Sequence, residues 1–142
     1  MRVVVSAMLF AAVMWGCSSL GEYVERADTW RSQGIENYVW TLEVSEPVFG
    51  PRRATVSVVD GQPLQATVDG ERVPIVDGSA DNIPATVEAL FVLLIRDADR
   101  ATSADVRWGE AGYPSRIRFD YSDAIDDEVS FKVVRFEPLE PE

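Results

Sequence analysis

Asp120, Asp123, Asp126, Asp127 and Glu128 crowd the segment before the last strand-like run. Carboxylates are hard oxygen donors, and a loop carrying several of them can hold calcium. The spacing departs from the EF-hand loop, and no glycine supplies its central turn. Two carboxylates can also do acid–base chemistry, provided burial drives their pKa values apart. A solvated hairpin tip would not do so, and its charges would simply discourage edge pairing. A second candidate is basic. If Val106, Trp108, Ile117, Phe119 and Phe131 face the core, then Arg107, Arg116, Arg118 and Lys132 share the outer face. Such a patch would receive an anionic partner, a lipid head group or an acidic peptide. The plain alternative is cross-strand pairing with Asp105 and Asp120. A third group, Tyr23, Trp30, Tyr38, Trp40 and Trp108, could line a sugar- or peptide-binding cleft, but the spacings put most of them on core-facing stripes.

Composition removes several classes of chemistry. The 142 residues include no His and one Cys, so an internal disulfide, an ordinary Ser–His triad and a Cys–His pair are all excluded. A Cys or His metal site is excluded as well. With 13 basic and 24 acidic residues the formal charge is -11, which argues against nucleic acid as a partner. No metal or other cofactor is expected, and no catalytic residue is assigned.

The chain opens with Arg2 and an apolar run, Val3 to Trp15, then Gly16-Cys17-Ser18-Ser19. The run is shorter than the roughly 20 residues a spanning helix needs, but it suits the apolar core of an export signal. A small residue before the only Cys, at the end of such a run, resembles the bacterial lipoprotein cleavage box. Met14 and Trp15 stand where Leu and a small residue are usual. The resemblance implies that Cys17 is lipidated on its thiol, cleaved before and acylated on its new amino terminus. Several acyl chains anchor stably where one does not. Ser18 after the Cys resembles a sorting signal for the outer membrane. Removing residues 1–16 takes Arg2 and no acid, so the charge moves from -11 to -12.

The elements that must position these groups follow. Residues 21–33 read as a helix burying Tyr23, Ala27 and Trp30, closed by Gly34 with Ile35 beyond it. Tyr38 to Ser45 alternates as a half-buried strand, and Glu46 to Arg53 reads as a loop. Strands Ala54–Val59 and Leu64–Val68 join at Asp60-Gly61. Asp69-Gly70 leads to a weaker strand, Arg72–Val76, which Pro74 demotes to an edge. Asp77 to Pro84 reads as a polar loop. Thr86 caps a helix from Val87 to about Ala98, whose arc of Val87, Leu90, Phe91, Leu94 and Ala98 is widened by Val92, Leu93 and Ile95. Three strands close the chain, Asp105–Trp108, Arg116–Tyr121 and Val129–Phe136, with Tyr121, Val129 and Val133 among the inward candidates. The turn at Gly112-Tyr113-Pro114 sets Tyr113 as a lid on the core. Glu137 to Glu142 is expected to fray.

The fold class is therefore α+β: an antiparallel sheet of about six strands with two helices packed on one face, in the order α-β-β-β-(β)-α-β-β-β. Residues 1–16 form the signal peptide, 17–21 an anchor linker, 22–137 one domain and 138–142 an acidic tail.

Several pieces together resemble a family of small bacterial lipoproteins catalogued as a domain of unknown function, DUF6174. They are Trp30…Gly34-Ile35…Tyr38, Val58-Val59-Asp60-Gly61, Thr86-Val87-Glu88-Ala89-Leu90-Phe91, Gly112-Tyr113-Pro114-Ser115-Arg116-Ile117 and Ile125-Asp126-Asp127-Glu128. The resemblance spans about residues 28–136. That family often shows a Cys pair after the first strand; here Ser45 to Arg53 holds none. The family brings no established activity. The expectation is a lipid-anchored, non-catalytic domain in the cell envelope, on the outer membrane facing the periplasm. It would meet an envelope protein or polymer through the outer sheet face or the loop at Glu46–Arg53. The alternatives are a carboxylate-dependent hydrolase of envelope polymers, using Asp126, Asp127 or Glu128, and a calcium-dependent binding module at Asp123, Asp126, Asp127 and Glu128.

Overall fold

A computed structural model describes residues 18–122 and 128–140. The first helix, α1 (Ser18–Ser32), starts ahead of the expected Gly21, so residues 18–21, expected as linker, are helical. Tyr23, Ala27 and Trp30 are its buried stripe, as their spacing requires. Gly34 follows at φ +65, the left-handed geometry that ends a helix.

The chain then forms β1 (Tyr38–Glu46) and β2 (Gly50–Val59). The expected long loop at Glu46–Arg53 is replaced by a tight hairpin, because alternation in Arg52, Ala54, Val56 and Val58 continues into the ladder with β1. The next strands are β3 (Gln62–Val68) and β4 (Glu71–Val73). The single strand expected at Arg72–Val76 is broken at Pro74. Beyond it lie β5 (Ile75–Val76), β6 (Ser79–Ala80) and β7 (Ile83–Pro84), which form a separate three-stranded sheet. The segment 77–84, expected as a polar loop, thus carries two short strands and buries Ala80 and Ile83. The turns at Asp60-Gly61, Asp69-Gly70 and Asp77-Gly78 all have both residues at positive φ. Asp and Gly tolerate that geometry, which suits the twist of tight hairpins.

The second helix, α2 (Val87–Ala98), has the expected bounds. Thr86 caps it: its side-chain oxygen accepts the Ala89 N–H at 3.1 Å. Val87, Leu90, Phe91 and Leu94 are buried, but Val92 is 58% exposed, so the apolar arc is narrower than expected. The chain ends in β8 (Ser103–Trp108), β9 (Pro114–Asp120) and β10 (Glu128–Pro138). Tyr121 lies just past β9 and is exposed, its ring 6.0 Å from that of Phe119. Residues Glu137 and Pro138, expected to fray, pair with Val39 and Tyr38.

The large sheet has seven strands in the order β4-β3-β2-β1-β10-β9-β8, one more than the expected six or so, and its ladders are antiparallel. Pairing of β1 with β10 joins two meanders that lie far apart in sequence. Both helices pack on the face that carries Tyr38 and Trp40. The Trp40 indole N–H donates to the Ala85 carbonyl at 3.0 Å, and the Val87 N–H donates to the Tyr38 hydroxyl at 2.9 Å. Those buried bonds fix the start of α2 over the sheet centre. The Trp30 ring meets Tyr38, Tyr113 and Phe136 edge-on, and Tyr113 covers Phe136 at 4.5 Å between ring centres.

Candidate binding face

Among the described residues, the opposite face of the large sheet bears none that is buried and no helix. Its residues fall into rows that cross the strands, since directly opposed positions share a face. One row reads Arg53, Glu43, Lys132, Arg116, Arg107, from β2 through β1, β10 and β9 to β8. The four expected basic residues do share the outer face, and the register decides their roles.

Arg118 is tied. It stands between Asp105 and Ser130, and its guanidinium is bound by the Glu128 carboxylate. That hydrogen bond, chiefly, raises the Arg118 pKa, with the charges of Glu128, Asp105 and Asp120 adding to it. This is the plain cross-strand pairing, and it is solvent-exposed. Lys132, Arg116 and Arg107 differ. Among the described residues none of the three makes an ion pair. Glu43, the neighbour of Lys132, is already held by the Arg53 Nε at 2.8 Å. Three cations are therefore adjacent across three strands, over about 10 Å at the backbone. Like charges directly opposite each other oppose folding.

The next row, Arg72, Thr67, Thr55, Thr41 and Arg135, was not singled out in the sequence. Thr41 and Thr55 share a hydroxyl hydrogen bond of 2.9 Å. Strict alternation on β1 to β3 carried that signal: each Thr lies between two inward residues. The face is thus polar, hydroxyl-lined in the middle and cationic toward β8.

The acidic candidate is only partly described. Asp123, Asp126 and Asp127 lie outside the described residues, as does Cys17. Glu128 faces Asp120 across β9 and β10, and Asp120 accepts the Ser122 N–H at 3.3 Å. Among the described residues no group of three or more His, Cys, Asp or Glu is placed to hold a metal. Of the aromatic candidates, Tyr23, Trp30, Tyr38 and Trp40 are buried. Trp108 is half-buried at the rim, stacked on Phe91 at 6.0 Å, with the Arg26 guanidinium 4.5 Å above its ring.

The β1–β2 hairpin holds two further features. Val48 and Phe49 at its tip are 85% and 71% exposed. Arg52, on the helix side of β2, reaches the Asp81 carboxylate at 2.9 Å, while its Nε is buried without a hydrogen-bond partner. A crevice of 500 Å³ lies beside β3 and β4, lined by Leu64, Arg72, Pro74 and Ile75 among others. It does not reach the cationic row. No described helix is long and apolar enough to cross a membrane.

Taken together, these elements define an α+β domain built on one antiparallel sheet, with helices on one side and a bare polar face on the other. The chain belongs to DUF6174, a family of unknown function whose pattern matches residues 22–138. No curated protein and no solved structure matches the chain.

Proposed function

We propose that this protein is a non-catalytic binding domain of the cell envelope, held at the outer membrane by acyl chains on Cys17 and facing the periplasm. Its bare sheet face takes an anionic envelope partner, a protein or polymer, at Arg107, Arg116 and Lys132. Arg118 flanks that site but is neutralised by Glu128. The observation that carries this reading is the row of three adjacent cations that make no ion pair among the described residues, on a chain of net charge -11. An arrangement that opposes folding in the free protein becomes favourable when an anion lies across it.

The test is cross-linked capture from detergent-solubilised envelope with the full chain. The wild type should retain a defined partner, and R107E/R116E/K132E should lose it while keeping its circular dichroism. Capture of nonspecific material only, or equal capture by the reversed variant, would refute the binding face. Anchoring is read separately, by mass spectrometry of the native amino terminus. An acylated Cys17 is expected; a chain that still begins at Met1 would refute the tether.

A further inference from the structure

The large sheet has one long free edge. At one end β4 is three residues long, and the chain turns away at Pro74 into the small sheet. At the other end β8 runs for six residues, and no described strand lies on its far side. An edge of that kind presents unpaired backbone N–H and C=O groups to any strand of matching chemistry.

The side chains of β8 say what would match. On the bare face Ser103, Asp105 and Arg107 are exposed. On the helix side Ala104, Val106 and Trp108 are half-buried, an apolar rim left at the end of the core. Arg107 faces Arg116 within its own sheet and makes no ion pair among the described residues. Asp105 faces Arg118, whose guanidinium is engaged by Glu128. Asp105 thus shares the Arg118 cation with Glu128, and Arg107, two positions on, makes no ion pair among the described residues; both face open solvent on the free edge.

A strand that pairs with its own copy antiparallel, about a two-fold axis, must bring same-face residues opposite each other. Centred on Val106, the pairing sets Asp105 opposite Arg107 of the second copy, and the reverse, with Ala104 opposite Trp108. Centred on Asp105, it sets two carboxylates against each other. Only the first register sets an opposite charge across the new seam from each of the two. We propose that β8 docks a second copy of this chain, antiparallel and centred on Val106, closed by two reciprocal Asp105–Arg107 ion pairs. The contact extends the sheet across two molecules and leaves Arg116 and Lys132 of each open on one continuous face. A single strand pair buries less than the ~800 Å² per partner of a standard interface, so the association is weak in dilute solution. Confinement of both copies to one surface would raise it. The proposal needs neither the anionic partner nor the tether.

The full chain carrying Val106→Cys tests it in intact host cells under mild oxidation, wherever the chain resides, with the unsubstituted chain, which has Cys17 alone, as the control. Residues opposed across an antiparallel pair lie about 4.5–5.5 Å apart at Cα, within disulfide reach. A reducible band at twice the monomer mass is expected for V106C and not for the control. Adding D105R, or R107D, should cut that band about tenfold, since each turns both ion pairs into like-charge contacts. The double exchange D105R/R107D should restore it, and restoration cannot come from a variant that merely failed to fold. Absence of the V106C dimer in a chain of unchanged circular dichroism would overturn the proposal and leave Asp105 and Arg107 as charges that guard an edge. A band insensitive to D105R, a stronger band from Asp105→Cys than from V106C, or an adduct of some other mass would overturn it equally.

Discussion

Tyr38 joins sheet to helix through one atom. Its hydroxyl accepts the Val87 N–H, one of the donors that the first turn of α2 cannot satisfy internally. Burial, the largest cause, pushes the phenol up to about 12, Glu88 adds to the rise, and the Val87 hydrogen bond pulls against it. The unfolded chain ionises first, near pH 10, so this contribution to stability is complete below that value and is lost between about pH 10 and 12. The slope is at most about 1.4 kcal/mol per pH unit. Tyr113 and Tyr121 are also raised, chiefly by burial, and share the alkaline decline. Tyr38→Phe should cost about 1–3 kcal/mol at neutral pH by orphaning the Val87 N–H. It should also decline less steeply above pH 10, and urea unfolding across pH checks both. Arg116 makes the opposite case. It is flanked by Lys132 and Arg107, so Arg116→Thr should stabilise the fold by about 0.2–1 kcal/mol. The same change should weaken partner capture. Denaturant midpoints and capture yields moving in opposite directions would identify a residue kept for binding rather than for stability.

Among the elements, α2 and the β8–β9 turn carry the sharpest expectations. Leu94 is wholly buried and Val92 is exposed, although both belong to one apolar stretch. Leu94→Ala should cost about 2–5 kcal/mol and Val92→Ala no more than about 0.5 kcal/mol, read by chemical denaturation. At the turn, a Cβ on Gly109 would run into the Tyr113 ring, and the Gly109 N–H donates to the Tyr113 carbonyl at 2.9 Å. Gly109→Ala should therefore cost about 1–3 kcal/mol through overpacking. In a Tyr113→Ala background the added penalty should shrink, because the obstructing ring is gone. The expected lid is thus a ring resting on a glycine, which helps explain why the turn holds its shape.

At the scale of the whole molecule, charge sorting matters more than net charge. The chain is strongly acidic, yet register gathers onto one bare face three cations that make no ion pair among the described residues. If the proposed tether is correct, Cys17→Ser should move the protein from the membrane to the soluble fraction on cell fractionation, since no acyl chain would then hold it. Partner capture through the face should fall as salt rises, as for exposed charges screened within a Debye length of about 10 Å at 0.1 M.

Much of this organisation was legible in the chain. Alternation in β1, the 3.6-residue period in α2, the Thr86 cap and the shared outward face of Arg107, Arg116, Arg118 and Lys132 are local patterns, which neighbouring residues dictate. The β5–β7 sheet carried a local signal too: Asp77-Gly78 is the same turn device as Asp60-Gly61 and Asp69-Gly70, hidden by the polar composition around it. Other features had no local signature. The β1–β10 pairing joins segments at opposite ends of the domain, so only tertiary structure made Glu137 and Pro138 part of the sheet. It likewise gave Glu43 to Arg53 and Arg118 to Glu128, leaving Lys132, Arg116 and Arg107 together with no ion pair among the described residues. Residue order determines which side of a strand a charge occupies, because that depends on a two-residue period. Which charges meet depends on strand order and register, and those are decided when distant apolar faces find a common core.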